Sequence, residues 1–180
     1  MNKTHHVSFS DGISIVNVDR LRRRVSKGRR LYGAGNRALE KGDLVAAKEA
    51  VARAVAEEPQ NAAWIQRLGF IVERQKQFAE ALELYHRALL VQPNNAEWHY
   101  RAGVCAGKLG DQAEASREFE LAFGLDRHHL RAAEGLARSL PPSTPEWRKF
   151  RVLQDLLHAH PTVPIALAFA QSAFKMERYR

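Results

Sequence analysis

Cysteine is almost absent from this chain: Cys105 is the only one. A lone thiol cannot form an intramolecular disulfide, so a disulfide-stapled scaffold is excluded and a reducing compartment is expected. No apolar run approaches the roughly 20 residues of a membrane-spanning helix. The N-terminus also lacks the apolar core of a secretory signal. On these grounds we expect a cytoplasmic protein. Valine, isoleucine and threonine are sparse after residue 30, while alanine, leucine, glutamate and arginine abound. That balance disfavours sheet and favours helix.

Chemical motifs are missing too. No glycine loop is placed to cradle a phosphate. The histidine groups His5-His6, His128-His129 and His158/His160 are adjacent or alternate. They lack the i, i+4 spacing, with a glutamate base, of a helical zinc hydrolase, so we expect surface or loop histidines. Cys105 has no histidine on its own helical face, so a packed small side chain is expected rather than a nucleophile. We expect no catalytic residue, no metal and no cofactor in these 180 residues.

The net charge of +8 is unevenly spread. Residues 1–30 hold eight Lys/Arg against two Asp, or +6, and the remaining 20 basic and 18 acidic residues give only +2. A nearly neutral body weighs against a nucleic-acid-binding surface. The basic patch is Arg20, Arg22, Arg23, Arg24, Lys27, Arg29 and Arg30. It defines a leader, 1–27, expected to be disordered or a short hairpin built on Val7, Phe9, Asp11-Gly12, Ile13 and Ile15. Contact with an anionic surface at the inner face of a membrane would suit such a patch.

What the chain does have is a period of 34 residues. Gly35, Gly69 and Gly103 fall in one column. Ala47, Ala81 and Ala115 fall in another, as do Ala54, Ala88 and Ala122. Trp64 matches Trp98, and Val51, Tyr85 and Phe119 align. Pro59, Pro93 and Pro161 keep the frame, with Arg127 in the one remaining slot. A fixed interval of this size marks stacked supersecondary units.

Each unit reads as two helices. Trp64, Leu68, Ile71 and Val72 make one apolar face; Phe78, Leu82, Tyr85 and Leu89 make the next. The break falls at Gly42-Asp43, Lys76-Gln77 and Gly110-Asp111. Asp43 and Asp111 are placed to cap second helices, and Asn61 and Asn95 to cap first helices. Proline then ends each pair. The glycine column should sit where paired helices cross, with Gly103 opposite Ala115 and near Ala122, and Phe119 on the flank. Gly107 has no counterpart in the other copies and no evident packing role.

These residues resemble the tetratricopeptide repeat. The second copy carries Trp64, Leu68-Gly69, Ala81, Tyr85, Ala88 and Pro93. The resemblance implies an all-α, right-handed superhelical solenoid of about four and a half repeats. We place them at 28–61, 62–95, 96–129 and 130–163, with 164–180 as the first helix of a fifth. In copy four, Thr144 is placed to cap, Pro145 suits the first helical position, and Trp147, Phe150, Leu153 and Leu157 form an apolar face. The last helix would leave Ile165, Leu167, Phe169 and Phe174 uncovered on one side. Terminal repeats normally present a polar outer face. We therefore expect a longer natural chain that supplies the partner helix, or else self-association through that helix.

The resemblance also implies a concave groove lined by first helices. Its candidate residues are Tyr32, Asn36, Gln66, Arg67, Phe70, Tyr100, Arg101, Val104 and Arg138. Aromatic anchors beside arginines suit a peptide or protein partner. Phe70 and Val104 could equally pack between neighbouring helices, while Tyr32, Arg67, Tyr100 and Arg101 are expected to be exposed. Chaperone-tail binders of the family use a Lys-Asn-Asn-Lys-Arg clamp; here those positions hold Tyr32, Asn36, Arg67, Glu97 and Arg101. Glu97 would repel a carboxylate, so that role is not expected. A fainter similarity links residues 64–103 to repeat arrays of bacterial capsule and teichoic-type glycerophosphotransferases. It implies an alternative: the non-catalytic array of a longer glycosyl- or glycerophosphotransferase in capsule or cell-wall polymer synthesis. The first expectation is a non-catalytic scaffold that binds a peptide, a partner protein or a further domain of its own chain.

Overall fold

The computed structural model describes residues 15–177, without the side chains of residues 15–21, 24 and 26. Nine helices follow one another among the described residues. They are α1 (Ile15–Glu40), α2 (Leu44–Glu57), α3 (Ala62–Arg74), α4 (Phe78–Val91), α5 (Ala96–Leu109), α6 (Gln112–Leu125), α7 (Leu130–Ser139), α8 (Glu146–Ala159) and α9 (Val163–Glu177). Each odd-numbered helix from α1 to α5 packs on the even one that follows, and each pair packs on the next. The result is the expected all-α tetratricopeptide solenoid.

The repeat begins in the turns. Gly42, Lys76 and Gly110 all have left-handed backbone, with φ of +79°, +62° and +85°. After each, the backbone N–H of Asp43, Gln77 or Asp111 donates to the carbonyl of Ala38, Val72 or Ala106, closing the preceding helix identically in three copies. Asp43 and Asp111 then cap the next helix, accepting from Ala46 N at 3.0 Å and Glu114 N at 2.9 Å. Gln77 occupies the same position but makes no side-chain cap. Asn61 and Asn95 accept from the N–H groups of Trp64 and Trp98, at 3.3 and 3.1 Å. Each such cap contributes ~1 kcal/mol.

Small residues set how closely the helices approach, though not in the pairing expected. The side chain facing the glycine column is the bulky one of the Val51, Tyr85 and Phe119 column, and not Ala115. A Cβ on Gly35 would overlap Val51 Cγ2. One on Gly69 would meet Tyr85 at 3.3 Å, and one on Gly103 would lie 2.8 Å from the Phe119 ring. Ala115 faces Gly107, at 3.8 Å from where its Cβ would be. A Cβ on Gly135 would likewise lie 2.8 Å from the Phe119 ring, so two glycines make room for one ring. Gly28 admits Trp64 in the same way. The core is continuous: Leu82 touches both the Val51–Tyr85 cluster and the Phe119–Leu136 cluster.

Several expectations are corrected at the ends. Residues 15–27 of the leader are the first half of α1, and the proposed hairpin falls mostly outside the described residues. Pro145, not Thr144, is the N-cap residue of α8, and no side chain caps that helix. Trp147 is 60 % exposed; Leu153 and Leu156 form the buried face, and Phe150 packs against Phe169 with the two rings tilted by 38°. On α9, Ile165 is fully buried and Phe169 half-buried, so only Leu167 and Phe174 of the four expected residues are open to solvent.

Candidate peptide-binding groove

The first helices bring the groove candidates to one side, but few are free. Tyr32 stacks on Trp64 with ring centroids 5.5 Å apart, and its hydroxyl accepts from Arg67 Nε at 3.4 Å. Arg101 lies 4.9 Å over the Phe70 ring and pairs with Glu97 at 2.8 Å and Glu73 at 3.2 Å. Tyr32, Arg67, Tyr100 and Arg101 are therefore half-buried and engaged rather than exposed. Asn36, Gln66 and Phe70 are also half-buried. An arginine already held by two carboxylates makes a poor anion hook, which agrees with the mismatched clamp.

Tyr85 explains one of those carboxylates. Its ring is fully buried, and its hydroxyl donates to Glu73 Oε2 at 2.5 Å. Burial, reinforced by Glu73, pushes its ionisation well above the ordinary range. Cys105 is fully buried beside this group. Burial, with the Glu73 charge adding to it, raises its thiol to about 12. This is the packed small side chain expected, not a nucleophile.

Farther along, the groove opens into a cavity of about 410 Å³ between α5, α6 and α7. Its apolar wall comes from Tyr100, Val104, Ala115 and Phe119. Gly103, Gly107 and Gly135 complete the lining. Lys108, Arg131 and Arg138 also line it. Arg131 reaches Glu97 at 3.2 Å and lies 4.9 Å over the Tyr100 ring. Arg138 is exposed, its guanidinium 3.6 Å from the Glu134 carboxylate and its Nε donating to the Glu134 carbonyl at 3.2 Å. Of the candidate residues, Tyr100, Val104 and Arg138 are thus brought together here, while Tyr32, Asn36, Gln66, Arg67 and Phe70 are not among the lining residues. Gly107, unexplained by packing, is one wall of this space.

The basic patch maps to α1 alone. Arg22, Arg23, Lys27, Arg29 and Arg30 are exposed, and Lys27 pairs with Glu57 at 2.6 Å. The histidine groups are not merely superficial. His129 Nδ1 accepts from Ala132 N at 3.1 Å as the N-cap of α7. His160 Nε2 donates to the Arg127 carbonyl at 2.6 Å. Sequence reasoning missed a second histidine group altogether, where α4, α5 and α6 meet. His86 and His99 converge there on the buried carboxylate of Glu118, at 3.3 and 2.7 Å. Nothing but the i, i+4 spacing of Glu114 and Glu118 hinted at it.

Stacked helix pairs with a pocketed inner groove define a helical-repeat scaffold of the kind that mediates protein interaction. The tetratricopeptide-repeat family model matches residues 38–102. Over those residues the chain carries tetratricopeptide repeats. No curated protein matches it by sequence. Among solved structures it is similar to MamA, with a TM-score of 0.72, 17 % identity, and 84 % of this chain and 85 % of that one covered. It is similar to YrrB, described as a tetratricopeptide-repeat protein with an unusual peptide-binding site, with a TM-score of 0.67, 21 % identity and 87 % of each chain covered. A third likeness is to an O-GlcNAc transferase of Thermobaculum terrenum, with a TM-score of 0.60 and 22 % identity, covering 76 % of this chain but 26 % of that one. At these identities the likeness is one of fold.

Proposed function

We propose that this chain is a non-catalytic scaffold that holds a peptide segment of a partner protein in the α5–α7 part of its groove. The observation that carries this is the cavity itself. It combines an apolar floor with Lys108, Arg131 and Arg138 at one place. The fitting ligand is an extended segment with one large apolar side chain and acidic neighbours. The likeness to a repeat protein with a peptide-binding site supports the same class of ligand.

Fluorescence anisotropy tests it, using a labelled peptide with one phenylalanine flanked by aspartates and glutamates. Val104→Trp should fill the cavity and weaken binding at least about 10-fold, the scale of a lost anchor of 1.4 kcal/mol or more. Arg138→Glu should weaken binding and flatten its salt dependence. Equal affinity for the wild type and both variants would refute the site.

A second reading is that this array accompanies the catalytic part of a longer glycosyl- or glycerophosphotransferase. The likeness to one quarter of a transferase favours it. The full coding sequence decides it: a catalytic domain in the same frame supports the reading, and its absence ends it.

A further inference from the structure

We propose that His86, Glu114 and Glu118 form a three-ligand site for a first-row divalent cation of the zinc type. The three lie on α4 and α6, and one ligand atom from each falls within 4.8 Å of the others. His86 is the informative member. Its Nε2 stands 3.3 Å from Glu118 Oε1 and 3.4 Å from Glu114 Oε1. A charge-assisted N–H···O bond is shorter, about 2.7–2.9 Å. His99 makes such a bond to the other oxygen of the same Glu118 carboxylate, at 2.7 Å. Two ligands about 2.0–2.2 Å from a tetrahedral ion are instead about 3.3–3.6 Å apart. His86 is therefore spaced from both carboxylates as one metal ligand is from another.

The outer contacts hold the two carboxylates in the pose such an ion requires. Glu118 presents Oε1 to His86 while His99 Nδ1 holds Oε2. Glu114 presents Oε1 to His86 while the Arg117 guanidinium holds Oε2. Each is thus a one-oxygen ligand with its second oxygen anchored, the arrangement that orients ligands in metal centres. His99 is fixed in turn, because its Nε2 meets the Pro93 carbonyl at 2.9 Å. Both ring nitrogens of His99 thus face acceptors, and the ring that steadies Glu118 is itself fixed. Imidazole with carboxylates suits zinc, cobalt or nickel, and a fourth position remains for water. The Arg117 guanidinium beside the site opposes a bound cation and lowers its affinity. A bound ion would tie the second repeat, through α4, to the third, through α6.

The test is calorimetric titration of zinc chloride into the full chain after chelator treatment, near neutral pH. One saturable site is expected, together with a zinc-dependent rise in the melting temperature. His86→Ala, at a half-exposed position, and Glu114→Gln should each weaken binding about 10- to 100-fold without altering the zinc-free melt. His158→Ala should bind zinc as the wild type does. No saturable binding up to millimolar zinc, or wild-type affinity in His86→Ala and Glu114→Gln, overturns the proposal.

Discussion

Replacing Gly103 by alanine separates two opposing effects that the structure assigns to different glycines. Gly103 and Gly107 lie one helical turn apart on α5, so alanine should improve helix propensity at each by ~1 kcal/mol. Only at Gly103 does the new methyl meet a wall. It would sit 2.8 Å from two carbons of Phe119, whereas carbon atoms pack at about 3.5–4.0 Å. Gly135 also packs close to this ring, since a Cβ built there would fall 2.8 Å from Cε1, which leaves the ring little room to yield. Overpacking of this kind costs about 1–3 kcal/mol. At Gly107 the nearest atom, Ala115 Cβ, is 3.8 Å away, an ordinary contact. The propensity gain cancels in the comparison, so Gly103→Ala should be about 1–3 kcal/mol less stable than Gly107→Ala. Urea unfolding followed by circular dichroism at equal protein concentration measures this difference directly. In a chain of this size it corresponds to roughly 2–12 °C in melting temperature. Two variants of equal stability would refute the claim that the glycine column is a seat for the Val51, Tyr85 and Phe119 column.

The second turn departs from its neighbours: Lys76 stands in left-handed backbone where the other copies have glycine, and Gln77 stands where they have a capping aspartate. Lys76→Gly should therefore stabilise by roughly 0.5–1 kcal/mol, and Gln77→Asp by a similar amount, in the same urea assay. Loss of stability in either variant would contradict the turn geometry. Cys105, buried and with its thiol raised to about 12, should be on the order of 10⁻⁴ thiolate at pH 8. It should resist a thiol-reactive disulfide reagent at that pH in the folded chain and react promptly in denaturant; prompt reaction in the folded chain would show that the α4–α5 packing is open.

The repeat was legible because packing rules act locally and recur. Gly35, Gly69 and Gly103 fall in register, and so do the caps Asp43, Asp111, Asn61 and Asn95, each of which needs only its own turn. Periodicity places a residue on a face, but it does not say which row of the next helix it meets. That is why Ala115, rather than Phe119, was the expected neighbour of Gly103. The same ambiguity put Trp147 on the buried face of α8, which in fact turns toward Leu153 and Leu156. The basic residues of α1 show composition without period, and charge alone does not distinguish a helix from a leader. His86 and Glu118 are 32 residues apart, in helices whose patterns look ordinary, so only the stacking of two repeats reveals their meeting. The cavity was half legible. Tyr100, Val104 and Arg138 follow from inward-facing positions, but that Gly103, Gly107 and Gly135 line the same space shows only once α5, α6 and α7 are packed.

The most direct test of the groove is an amide chemical-shift map of the labelled chain titrated with the acidic phenylalanine peptide. We predict saturable shifts concentrated at Tyr100, Gly103, Val104, Gly107 and Gly135, with α2 and the outer face of α9 unmoved. Shifts clustered on α9 around Leu167 and Phe174, with the α5–α7 amides unchanged, would contradict the account.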